Sequence, residues 1–134
     1  MDAAARIEAM TQTALEPYRI LVVDDDKAVR DALRNLLESV GLEVESFGSA
    51  EEFVSSCPTM LRSCLILDVQ LPQMNGLDLQ RQLSKTNNLV PIIFITAHRD
   101  DTARERALRD GALGFFNKPF NSEDLLSAVR SALK

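Results

Sequence analysis

From Tyr18 onward the chain alternates short, nearly continuous apolar runs with longer segments whose apolar residues recur at helical spacing, and few folds accommodate that alternation. The runs are Arg19-Ile-Leu-Val-Val23, Glu43-Val-Glu-Ser-Phe47, Cys64-Leu-Ile-Leu67, Pro91-Ile-Ile-Phe-Ile-Thr96 and Leu113-Gly-Phe-Phe116. Three of them are apolar almost throughout, as strands covered on both faces must be, whereas a strand with one wet face would alternate with polar residues. Parallel strands need long crossovers, and the helix-spaced segments supply them. The pattern predicts an α/β fold in which a parallel sheet of five strands is wound on both faces by five helices.

The helical segments carry their own start and stop signals. Val29, Leu33, Leu36, Leu37 and Val40 share one face, and Gly41 stands where a left-handed C-terminal cap belongs. Ser49 with Glu52 forms a capping box for a short second helix that Pro58 closes. Gly76 to Leu83 makes a third, with Leu77, Leu79 and Leu83; Asp100 to Asp110 makes a fourth, ended by Gly111, with only Ala103, Ala107 and Leu108 to bury. Asn121 and Asp124 open a fifth that carries Leu125, Leu126, Val129 and Leu133. Ahead of Tyr18 the Ala-rich leader is interrupted by Pro17, so residues 1–18 are read as a flexible N-terminal extension and residues 19–134 as the domain.

At 134 residues, with 46% hydrophobic and 26% charged side chains, the chain has room for one folded domain with a real core. Fifteen Lys and Arg against 20 Asp and Glu leave a net charge of −5, which argues against direct binding of nucleic acid or anionic lipid by this domain. Cys57 and Cys64 follow no signal peptide, which favours reduced thiols and a cytoplasmic setting, and the apolar runs are too short to span a membrane.

In a doubly wound sheet, ligands meet the carboxyl ends of the strands, and here those ends are unusually polar. Asp24-Asp25-Asp26 follows the first run, Asp68 the third, Thr96 ends the fourth, and Asn117-Lys118-Pro119 follows the fifth. Carboxylates gathered at one edge repel each other and resist desolvation unless a cation compensates. An oxygen-only donor set suits Mg²⁺, with Mn²⁺ as an alternative. Any one of these acids alone would be read as a helix cap, and Asp26 fits that role. Carboxylates from two strands, a hydroxyl from a third and a lysine from a fourth together suit phosphoryl transfer, with a carboxylate able to attack phosphorus. A metal-dependent phosphohydrolase would want a second acid two residues after its nucleophile, where Gln70 stands. An FMN-binding fold would want a hydroxyl- and glycine-rich loop in place of the acidic triplet, and a zinc site from Cys57, Cys64 and His98 has no recognised spacing.

Ile20-Leu-Val-Val-Asp-Asp-Asp26, Leu65-Ile-Leu-Asp-Val-Gln-Leu-Pro-Gln-Met-Asn-Gly76, Ile95-Thr-Ala97 and Lys118-Pro-Phe120 occur in the order and at the intervals of one family. Together they resemble the receiver domain of bacterial two-component response regulators, over nearly all of Arg19 to Leu133. Ser49-Ala-Glu-Glu-Phe53 and Asp68-Val-Gln-Leu-Pro72 resemble its NarL/FixJ type. The resemblance implies a CheY-like, flavodoxin-like sheet in the order 2-1-3-4-5. It implies Asp68 as phosphoacceptor, Asp24 and Asp25 as the acidic pair of the metal site, and Gln70 as the residue whose backbone carbonyl completes it. It further implies Thr96 as switch hydroxyl, Lys118 as the family's lysine, Pro119 in a cis peptide, and Phe115 as a switch aromatic that swings between exposed and inward positions. The implied partners are a sensor histidine kinase, a second receiver on phosphorylation, and a DNA-binding output domain beyond residue 134. The domain is then a switch rather than a turnover enzyme. Gln70 and His98, two residues beyond Asp68 and Thr96, are placed to set the phosphate's lifetime, although a histidine there also suits a solvated loop.

Overall fold

A computed structural model describes residues 18–56, 58, 62–86 and 90–133. The extension up to Pro17, together with Cys57, lies outside the described residues. The elements run β1 (Arg19–Val23), α1 (Lys27–Glu38), β2 (Glu43–Phe47), α2 (Ala50–Ser56), β3 (Ser63–Asp68), α3 (Gly76–Lys85), β4 (Ile92–Thr96), α4 (Asp101–Arg109), β5 (Gly114–Asn117) and α5 (Ser122–Ala132). The five strands form one sheet in the order β2-β1-β3-β4-β5, every neighbouring pair parallel. The expected fold and strand order are both present.

Successive side chains of a strand point to opposite faces, and the core divides accordingly. Leu21, Val23, Leu65, Leu67 and Phe94 join Phe53, Leu79 and Ala107 on the face covered by α2, α3 and α4. Ile20, Val22, Ile66, Ile93 and Ile95 join Leu33, Leu37, Leu125 and Val129 on the face covered by α1 and α5. All six residues of β3 are buried, which is why that run reads as continuously apolar until Asp68 ends it.

The differences from the sequence reading are local. β3 begins at Ser63 and includes Asp68, and β5 runs from Gly114 to Asn117, leaving Leu113 53% exposed. Val40 is also exposed, because α1 ends at Glu38 and Gly41 takes the expected positive φ of +86° beyond it. At α2 the capping box is displaced by one residue. Glu52 N–H donates to Ser49 Oγ, but the Glu52 carboxylate accepts from Gly48 N–H. A full reciprocal box forms instead at α3, between Asn75 and Asp78, where the apolar pattern alone had been legible.

Candidate metal centre

The register explains how one site is assembled from residues far apart in sequence. Val23 pairs with Leu67, so the residues that follow them, Asp24 and Asp68, leave adjacent strands side by side. This is where the chain reverses its winding direction, with β2 on one side and β4 on the other. Thr96 pairs with Asn117, which brings Lys118 to the same edge.

Asp24 is fully buried, Asp68 is 3% exposed, and Asp25 points to solvent. Carboxylate oxygens of all three lie within 4.8 Å of one another. Lys118 Nζ bridges the two buried acids, donating to Asp24 Oδ2 at 2.8 Å and Asp68 Oδ2 at 3.2 Å. The other oxygens are held by backbone: Asp26 N–H donates to Asp24 Oδ1 at 2.8 Å and Gln70 N–H to Asp68 Oδ1 at 2.9 Å. Asp26 itself caps α1 by accepting from Ala28 N–H, and the Lys118–Pro119 peptide is cis.

These contacts leave an excess of negative charge. Burial, together with the neighbouring Asp24 carboxylate, pushes the Asp68 carboxyl up from 3.8 to about 6, against the opposing pull of Gln70 N–H and Lys118. For Lys118 burial works against the charge, yet the Asp24 hydrogen bond and the two carboxylates outweigh it and hold the ammonium above its usual range. One lysine does not neutralise three carboxylates. The hard oxygen donors and the uncompensated charge fit a divalent cation such as Mg²⁺.

The remaining predicted residues take different places. Thr96 is buried, and its hydroxyl accepts from His98 N–H and donates to the His98 carbonyl, both at 3.2 Å. The side chains of His98 and Gln70 are exposed on the loops that rim the site. Phe115 is 6% exposed, with its ring 6.1 Å from that of Phe94. It occupies the inward position of the two expected. Cys64 lies fully buried within β3, its thiol pushed up to about 12 by burial, which does not suit a zinc ligand.

Three residues support the site in ways the sequence does not show, although Gly76 stands in its motifs. Arg30 of α1 donates to the Asp24 carbonyl at 2.7 Å and fixes the acidic turn from outside. Glu51 of α2 accepts from Met74 N–H at 3.0 Å, tying down the loop after Asp68. Gly76 packs so closely that a Cβ would stand 2.3 Å from the Asp68 carbonyl oxygen. The Met-Asn-Gly stretch marks that last position in the sequence; the two charged contacts, across six and 23 residues, have no motif of their own.

Residues 20–130 match the family described as response regulator receiver domain. The chain belongs to that family. As a receiver domain it is 49% identical over 115 residues to the response regulator protein TmoT of Ectopseudomonas mendocina, covering 86% of this chain and 52% of TmoT. It is 34% identical over 115 residues to the transcriptional regulatory protein FixJ of Bradyrhizobium diazoefficiens, covering 86% of this chain and 56% of FixJ. Among solved structures the receiver superposes on the response regulator StyR with a TM-score of 0.81 at 43% identity, covering 87% of this chain and 59% of that one. It superposes equally well, at 0.81 and 32% identity, on the FixJ N-terminal domain, covering 89% and 95% of the two chains. The receiver spans about half the length of the curated relatives it matches. Among the described residues, no helix is long and apolar enough to cross a membrane.

Proposed function

We propose that the domain, residues 19–134, accepts a phosphoryl group on Asp68 from the phosphohistidine of a sensor kinase and works as a switch rather than a turnover enzyme. The observation that carries this reading is the convergence of Asp24, Asp25 and Asp68 on one point with Lys118 bridging two of them.

In the transfer, an Asp68 carboxylate oxygen forms the new bond to phosphorus while the P–N bond of the donor breaks, and its electron pair returns to the imidazole, which then takes up a proton. Asp24, Asp25, Asp68 and the Gln70 carbonyl would hold Mg²⁺, with Mn²⁺ as an alternative; the cation would supply neutralisation of the phosphoryl oxygens. The protein's own residues do the rest. Gln70 N–H, on Asp68 Oδ1, leaves the other oxygen, Oδ2, to attack. Lys118 is within hydrogen-bond reach of that oxygen and can follow it to the phosphoryl group, an ammonium already in place as charge develops. The buried Thr96 hydroxyl, now engaged by His98, stands one residue beyond Ile95, the strand partner of Asp68, and would exchange His98 for a phosphoryl oxygen. Phe115 would then report the change to the α4-β5-α5 face, where a second receiver or an output domain binds.

The proposed output and localisation draw on the relatives. FixJ is a transcriptional regulatory protein matched over about half its length, which supports a DNA-binding output domain beyond residue 134 as partner. The kinase, the receiver and that output domain would meet in the cytoplasm, and residues 1–18 would form an extension ahead of the domain.

Acetyl phosphate with Mg²⁺ tests the central step. Intact mass spectrometry should show one added phosphate, and none in Asp68→Asn, because an amide is a far poorer nucleophile than a carboxylate. An adduct that persists in Asp68→Asn would overturn the assignment.

A further inference from the structure

Helix α4 is fastened by polar contacts more than by apolar packing. Of its nine residues only Ala103 and Ala107 are buried, and two such small side chains remove little apolar area from water. Two hydrogen bonds fix its orientation. Near its C-terminal end the buried Gln80 of α3 donates through Nε2 to the Ala107 carbonyl at 3.0 Å. Near its start, Arg104 donates through Nη1 to the Phe115 carbonyl at 3.2 Å. The Arg104 guanidinium carbon also lies 5.9 Å from the centre of the Phe115 ring, within cation–π range.

Phe115 carries no polar side-chain atom, so neither an inward nor an outward ring position is tied to a hydrogen bond of its own. Inward, the ring lies against Phe94. Outward, a cleft of about 520 Å³ opens beside it, lined by Ala97, Arg104, Phe115 and Lys118 among others. A ring leaving the core for that cleft must displace the guanidinium that lies over it.

We propose that Arg104 is the positioning residue that holds the Phe115 ring inward, so that one exposed side chain sets the resting balance between the ring's two positions. The proposal rests on the switch role given to Phe115 above. Arg suits the task better than Lys, because its planar fork donates to the carbonyl and covers the ring at once. Since Arg104 is solvent-exposed, its replacement removes no buried side chain from the core. Removing a carbonyl hydrogen bond and an exposed cation–π contact should change the inward-to-outward ratio by about tenfold.

The test places 4-fluorophenylalanine at position 115 of the full chain and follows the fluorine resonance in the parent, Arg104→Met and Arg104→Lys, without phosphodonor. Arg104→Met keeps an aliphatic stem but neither charge nor donor, and its ring should move outward by about tenfold in the ratio. Arg104→Lys keeps a charge and a donor and should recover part of that change. Thermal unfolding of all three checks that the fold is retained. An equal ring ratio in parent and Arg104→Met, or a lysine variant no closer to the parent than the methionine one, would overturn the proposal. Phosphate uptake by the parent is measured separately: its absence from Asp68 would sink the receiver chemistry, whereas the ring ratio without donor speaks to Arg104 alone.

Discussion

Asp68 ionises at a cost in the metal-free protein, and that cost should be visible as stability. Its carboxyl titrates at about 6 in the folded state against 3.8 ordinarily, because burial and Asp24 disfavour the charge. The folded protein therefore binds this proton more tightly than the unfolded chain does. The resulting stabilisation is full below pH 3.8 and lost as pH rises through 6. Replacing Asp68 with Asn removes the titration, so the variant should gain on the parent as pH rises. Linkage puts the pH-dependent part of the gain at about 1 kcal/mol at pH 4.5 and about 3 kcal/mol at pH 7.5. Any constant difference between amide and carboxyl cancels, which leaves a widening of about 2 kcal/mol between the two pH values as the quantity to measure. Urea unfolding of both proteins in EDTA at each pH provides it. Mg²⁺ should then narrow the gap at pH 7.5, since a ligand at 100 times its Kd stabilises the protein that binds it by about 2.7 kcal/mol. A gap that is flat in pH, or that narrows as pH rises without metal, would refute the charge reasoning.

Asp25→Ala should weaken Mg²⁺ binding by about tenfold or more in calorimetry while leaving stability without metal almost unchanged, because Asp25 is exposed. An unchanged affinity would remove Asp25 from the ligand set. Gly76→Ala should destabilise by about 3 kcal/mol in urea unfolding, since its Cβ would meet the Asp68 carbonyl oxygen at 2.3 Å, where no flexible side chain can yield. Dephosphorylation rates of the parent, Gln70→Ala and His98→Ala between pH 5 and 8 should differ, because both residues are exposed and stand two positions beyond Asp68 and Thr96. Identical rates and pH profiles would show that the rim does not set the lifetime.

The parts of this molecule that could be read from its sequence are those enforced by a short-range rule. Buried parallel strands must be continuously apolar, so β1, β3 and β4 announce themselves, and the acids that interrupt them stand out for the same reason. Gly41 and Gly111 end helices at positive φ, a conformation with a known residue preference. Strand ends are less legible: Ser63 joins β3 because Arg19 pairs with it across the sheet, a fact recorded nowhere near Ser63. The box at Asn75 and Asp78 is less legible for another reason, since a cap is polar and carries none of the apolar periodicity that marks the helix.

The supporting shell of the site follows no local rule at all. Lys118 reaches Asp24 across 94 residues, Glu51 reaches Met74 N–H across 23, and Arg104 reaches the Phe115 carbonyl across 11. A motif preserves the order of the first-contact residues but says nothing of which arginine or glutamate holds them. Gly76 shows the distinction most directly. Its φ lies outside the left-handed region, so conformational freedom does not explain a glycine there; the approach of the Asp68 carbonyl does. The geometry that aims the acid is thus set from behind, by a missing side chain on α3, while Gln70 N–H and Lys118 each hold one of its oxygens in front. A carboxylate pinned in that way has little freedom to lose on attack, as the proposed role of Asp68 as phosphoacceptor would require.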